Sequence, residues 1–152
     1  MKTPRSLYNN EMICAISIYS VLKHLKTISV SKALLIFPLV SHKGTLDFLK
    51  NKNTKIRSLE EFIIKKPDYF SNYNDRYYSF LVLSMNSLIL LSEMGLIRID
   101  ESQISIVTDE KFDINNNIMG ERAYNFFNVS SKLADILKSD DKNLYLQLRV
   151  QL

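Results

Sequence analysis

The 152-residue sequence has one cysteine, three glycines, three prolines and two histidines, and each scarcity closes off a class of protein. Cys14 stands alone inside an apolar helical pattern, which excludes a disulfide framework and reads as a small buried thiol. So few glycines and prolines argue against long disordered linkers, and no low-complexity tract, internal repeat or Gly-rich phosphate loop is present. No apolar run approaches 18 residues without a polar interruption. The start, MKTPRSLYNNEM, lacks a continuous apolar core behind its basic residues, so a soluble, cytoplasmic protein is expected.

Residues that could carry chemistry are equally sparse. Neither His24 nor His42 has a second ligand-type residue at metal spacing, so both are expected to be surface or packing histidines. Ser130 and Ser131 have no base near them in the sequence. The acidic pairs Glu60 with Glu61, Asp109 with Glu110 and Asp140 with Asp141 fall at expected helix starts or turns, where capping and solvation explain them. Residues 109–117 are rich in Asp and Asn, but lack the central glycine and closing glutamate of a calcium loop. The expectation is a chain without enzymatic activity, cofactor or metal.

What the chain does have is length, apolar periodicity and polarised charge. The length suits a single domain over residues 1–152, enough to bury roughly 70% of its unfolded surface. The net charge of +4 is uneven: residues 1–66 hold 12 Lys+Arg against 4 Asp+Glu, residues 67–110 hold 2 against 7, and the remainder is near balance. A basic end and an acidic end favour anchoring between partners of different charge.

The residues predict a mainly α fold with a winged-helix-like core, three helices plus a β-hairpin wing, over about 31–110. An N-terminal helix at about 9–26 and a C-terminal helix with a short strand at about 118–152 flank it. Ser29 or Ser31 can cap a second helix that Pro38 kinks or divides, and Ser58 with Glu61 has capping-box spacing for a helix over 59–64. Residues 77–91 hold no charge and are apolar at nearly every angle. One long helix is expected there, capped by Asp75, covered on most sides and stopped where Gly95 turns left-handed. Ile97 and Ile99 then alternate against Ile104 and Ile106 in a hairpin, residues 113–117 form a loop, and Leu144, Leu146, Leu148 and Val150 alternate as in a strand.

A winged helix raises the question of DNA, which such folds read through the third helix and the wing. Base and phosphate contacts want outward Arg, Lys, Asn or Gln, yet past Arg76 this helix offers only Ser79, Ser84, Asn86 and Ser87 before Glu93. The wing sets Asp100 and Glu101 against Arg98 alone. Sequence-specific reading is therefore not expected, and the apolar surplus fits core packing plus a protein interface. Lys50, Lys52, Lys55 and Arg57 could touch DNA phosphates without sequence preference, although a solvated loop is narrowly preferred. Tyr69, Phe70, Tyr73, Tyr77 and Tyr78 could stack bases; with Asp68 and Asp75 flanking them, a set of anchors for a protein partner or plain core filling is the better reading.

At residues 31–45, SKALLIFPLVSHKGT, an apolar run leads into Pro38, Leu39, Val40, His42 and Lys43. With the start NNEMICAISIYSVLKHL, the helix and hairpin around Gly95 and Leu96, and the closing LYLQLRV, this resembles the middle component of three-component ABC systems. That is the small subunit of Lamassu-type anti-phage complexes. Glu11 stands where the family usually has proline. The resemblance implies a non-enzymatic adaptor joining an SMC-like ATPase to an effector, often a nuclease, until phage or plasmid DNA is sensed. The alternative left open is a free-standing winged-helix DNA-binding regulator.

Overall fold

A computed structural model describes residues 4–107 and 120–152, with side chains from Asn10 onward. The expected loop at 113–117 and the weighed calcium segment at 109–117 lie outside the described residues. In chain order the elements are α1 (Pro4–Leu25), β1 (Thr27–Ser29), α2 (Val30–Ala33), α3 (Ile36–Val40), α4 (Lys43–Lys50) and α5 (Leu59–Lys65). After a 3-10 turn (Pro67–Phe70) come α6 (Tyr73–Ser79), α7 (Leu81–Glu93), β2 (Ile97–Asp100), β3 (Gln103–Ile106), α8 (Glu121–Ile136) and α9 (Asp141–Leu148). The expected mainly α fold with a β-hairpin is what the chain forms.

The element covered on every side is α1. Its residues 14–22 are all buried, and α7 and α8 pack against it. Ser17 and Ser20 are tolerated there because their hydroxyls donate to the carbonyls of Cys14 and Ile16, at 2.6 and 2.7 Å. The six residues 35–40 are likewise buried. Pro38 sits in the first turn of α3, where its missing N–H costs nothing. The segment expected as one helix, kinked or halved by Pro38, is in fact three. Turns at residues 34–35 and 41–42 separate α2, α3 and α4, and the last restarts because extended His42 caps it.

The long helix expected near residues 77–91 is also divided. Phe80, at φ −105° and ψ 5°, interrupts it, yet Phe80 N–H donates to Arg76 and Ser84 N–H to Phe80, so the hydrogen-bond ladder continues across the break. Asp75 is not its N-cap: α6 begins at Tyr73, and Asp75 lies inside the first turn, where its charge still suits the helix dipole. At the far end Gly95 takes φ +74°, Leu96 N–H returns to Leu91 and Gly95 N–H to Ser92, the two bonds of a Schellman stop.

The hairpin pairs Ile97 with Ile106 and Ile99 with Ile104, the expected register. Unexpected is β1, three residues that turn out of α1 through left-handed Lys26 and pair antiparallel with β3, giving the sheet order β1-β3-β2. The segment expected as a closing strand is α9. Asp140 caps it by accepting Asn143 N–H at 2.8 Å, and Arg149 closes it in the left-handed conformation. Only Leu144 and Leu148 of its leucines are buried, a helical spacing of four, whereas Leu146 is exposed.

Candidate functional site

The face that α7 leaves to solvent is an inversion of ordinary amphipathic order. Ser84 and Ser87 point inward beside Leu88 and Leu91, while Val82, Met85 and Ile89 are 68%, 50% and 54% exposed. Ser87 satisfies its hydroxyl by donating to Leu83, with Glu11 carbonyl of α1 also within reach at 3.1 Å, and Ser84 lies 3.8 Å from Cys14 Sγ. Burial pushes the Cys14 thiol up to about 11, so it stays protonated and inert. Small residues let α7 lie close to α1; the large ones are left outside. The expectation that this helix is covered on most sides therefore fails along one face, where Val82, Met85 and Ile89 are exposed and, among the described residues, no element packs over them.

With Ser84 and Ser87 buried, Ser79 and Asn86 are the polar side chains left outside between Tyr78 and Ser92. The wing exposes Asp100 and Glu101 beside Arg98. Arg76, the nearest base on the helix, is turned away: Nε donates to Pro38 carbonyl and Nη2 to Tyr69 carbonyl, each at 3.0 Å, with the guanidinium over the Tyr73 ring.

The aromatic set divides. Tyr73 is fully buried and donates its hydroxyl to Leu35 carbonyl at 2.8 Å. Tyr77 is 4% exposed, and its hydroxyl meets that of Tyr145 at 3.2 Å, which in turn donates to Ser31 carbonyl. Of the two readings, partner anchors or core filling, these two are core residues and not surface anchors: hydroxyl partners on α9 and in the chain before α3 draw them in. Tyr69 and Phe70 are half-buried around Phe62, with the Lys66 ammonium over Tyr69 and Phe48. Tyr78 alone of the five is exposed, at 45%.

Lys50, Lys52, Lys55 and Arg57 are all exposed, on and beside the connector from α4 to α5 that buried Ile56 pins down. The structure adds a residue that sequence reasoning missed. Lys132 of α8 reaches Leu49 and Asn51 carbonyls with Nζ at 2.7 and 2.9 Å, closing the end of α4, and shares a shallow depression of about 490 Å³ with Lys50 and Lys52. Lys55 and Arg57 do not line it. No sequence spacing could have signalled a lysine more than eighty positions away.

The fold also brings His24 Nε2 within 3.0 Å of Ser130 Oγ, a pairing invisible in the sequence. Ser130 is buried and its hydroxyl donates to Phe127 carbonyl at 2.6 Å, which makes the imidazole the donor and the pair a tie between α1 and α8. His42 uses Nδ1 to accept Thr45 N–H at 3.1 Å. Among the described residues no cluster of His, Cys, Asp and Glu could hold a metal ion. A cleft of about 570 Å³ between α2 and α9 is mostly apolar, lined by Leu34, Tyr77, Tyr145 and Val150; its Asp141 carboxylate already accepts Ser29 and Ser31 hydroxyls.

These features define a mainly α domain with a small antiparallel sheet and an uncharged helix face open to solvent. The chain belongs to the ABC-three component (ABC-3C) system Middle Component 3 family, whose model matches residues 3–152. It is thus one component of a multi-component system, in line with the resemblance carried by Pro38 to Lys43. Neither the curated proteins nor the solved structures gave a match. Among the described residues no helix is long and apolar enough to cross a membrane.

Proposed function

We propose that this chain is a non-enzymatic, cytoplasmic adaptor that bridges an SMC-like ABC ATPase and an effector, of nuclease type, in a Lamassu-type anti-phage or anti-plasmid assembly. The observation that carries this reading is the open face of α7, where Val82, Met85 and Ile89 stand in solvent while serines fill the core side. A side-chain arrangement that costs free energy in the lone chain is economical when a protein partner covers it. The sheet order β1-β3-β2, with β1 between the first two helices and α7 running into the hairpin, supports the winged-helix reading. In that reading α7 occupies the position of the DNA-reading helix, but it lacks the donors for base edges.

Any DNA contact in the assembly then falls to Lys50, Lys52, Lys55 and Arg57, as sequence-independent phosphate neutralisation. The test is co-expression of the tagged chain with the other two components of its system. Co-elution of all three supports the bridge; separate elution of this chain from both sinks it. Tight, sequence-selective duplex binding by the isolated chain would instead favour a free-standing regulator.

A further inference from the structure

The open face of α6 and α7 is apolar in the middle and acidic at both ends. On a helical wheel continued across Phe80, the exposed residues Asp75, Tyr78, Val82, Met85, Ile89 and Glu93 fall on one side, at successive spacings of three or four. Asp75 and Glu93 mark its ends, about 27 Å apart at 1.5 Å per residue. Within α6 and α7 no basic side chain joins them, because Arg76 is committed inward to Pro38 and Tyr69; at the Asp75 end the C-terminal segment lies alongside, with Gln151 accepting the Tyr78 hydroxyl and donating its N–H to Asn74. In the wing that follows, exposed Arg98 and Asp100 share one strand face, opposite Ile97 and Ile99, with exposed Glu101 at the turn, so the acidic ends of the helix face rest on Asp75 and Glu93.

We infer that this face is the seat of one amphipathic helix from a protein partner, apolar over its central two turns and Lys/Arg-rich at both ends. The inference rests on the adaptor reading and deepens it by naming the chemistry of what the adaptor holds. Val82, Met85 and Ile89 form a ridge at the spacing that packs helix against helix, and the flexible Met85 thioether adapts to the partner's side chains. The acidic ends select charge and direct the encounter, while the uncharged centre supplies the buried area. A second copy of this chain is a poor occupant, since two such faces would set acid against acid at either relative direction.

The experiment uses the full chain and three synthetic 20-residue peptides: one with a leucine stripe and Lys/Arg ends, one with the same stripe and Glu ends, and one scrambled basic control. Fluorescence anisotropy at moderate salt is expected to show the basic amphipathic peptide binding at least roughly tenfold tighter than either other peptide. The double variant M85E/I89E abolishes that binding, and D75K/E93K reverses the preference toward the acidic-ended peptide. Both variants alter exposed side chains, and circular dichroism verifies that the fold is kept. Equal binding of the two amphipathic peptides, binding that M85E/I89E leaves unchanged, or self-association that M85E/I89E relieves would each overturn the inference. In parallel, M85E/I89E is co-expressed with the other system components. If the wild type assembles and the variant assembles equally well, the adaptor reading stands and this surface does not. If the wild type never assembles, the adaptor reading itself is lost.

Discussion

The guanidinium of Arg76 donates Nε–H to Pro38 carbonyl and Nη2–H to Tyr69 carbonyl, both at 3.0 Å, so one side chain ties α6 to the end of α3 and to the 3-10 turn. Burial is the main influence lowering its pKa, and a guanidinium stays charged regardless. Removing a charged, half-buried donor takes this bond from Tyr69 carbonyl and leaves Pro38 carbonyl with the Ser41 hydroxyl at 3.3 Å. Arg76→Ala is therefore expected to cost about 2–3 kcal/mol in urea unfolding, with an unchanged denaturant slope. Arg76→Lys should recover less than half of this, because an ammonium lacks the fork that spans both acceptors. A loss below about 0.5 kcal/mol, the scale of an ordinary surface substitution, would show that the clamp is not holding these elements together.

The cap of α4 gives the fold a pH dependence. Nδ1 of His42 accepts Thr45 N–H, which requires an unprotonated nitrogen. Burial first, and the Arg76 charge second, lower the His42 pKa below 6.5. With the folded pKa depressed, the unfolded chain binds more protons as pH falls below 6.5. This contribution to stability is present in full above that value and is lost as pH drops through the folded pKa. An NMR titration of the His42 ring is expected to give a midpoint under 6.5. His42→Asn, which keeps a capping oxygen but cannot titrate there, should flatten the decline of the urea midpoint between pH 7 and pH 5. A midpoint at or above the ordinary histidine value would refute the cap as the cause.

Gly95 isolates a purely backbone effect. Its φ of +74° is left-handed, and a Cβ built there would meet nothing within 4 Å. Gly95→Ala is thus expected to destabilise by about 1–2 kcal/mol without any packing change. Gly95→Asn should cost less, since asparagine tolerates that conformation. Thermal melts of the three proteins decide it; equal melting temperatures would mean that the turn relaxes to another conformation.

Features fixed by local chemistry were legible in the sequence. The Gly95 stop, the Ile97 to Ile106 register and the Ser58 cap each depend on residues a few positions apart, although Glu61 accepts Arg57 N–H and so closes its box one residue early. What failed depended on distant partners. β1 exists because β3 lies beside it, and α9 is helical although its leucines alternate, because Asp140 caps it and only Leu144 and Leu148 find the core. The candidate surface was half visible: an uncharged helix could be seen, but not that Ser84 and Ser87 would take the inner side and leave Val82, Met85 and Ile89 outside. For Tyr73 and Tyr77 the choice between partner anchor and core filling stayed open for the same reason, since their hydroxyl partners are the distant Leu35 and Tyr145.

The basic connector separates nucleic-acid contact from assembly. Lys50, Lys52, Lys55 and Arg57 are exposed and none of their side chains holds the core, so the fourfold change K50E/K52E/K55E/R57E is expected to leave the fold intact. Lys132 must be left in place, because its ammonium closes the end of α4 and its loss would confuse charge with packing. If these four residues neutralise phosphates, the assembled complex should lose duplex affinity, and the dependence on salt should flatten by about 0.9 for each contact removed. Assembly, read by co-elution, should not change. Retained DNA affinity would free the connector of that role. Failure to assemble would identify it instead as the seat of an acidic partner, setting the basic connector and the acid-ended face of α6 and α7 against two different proteins.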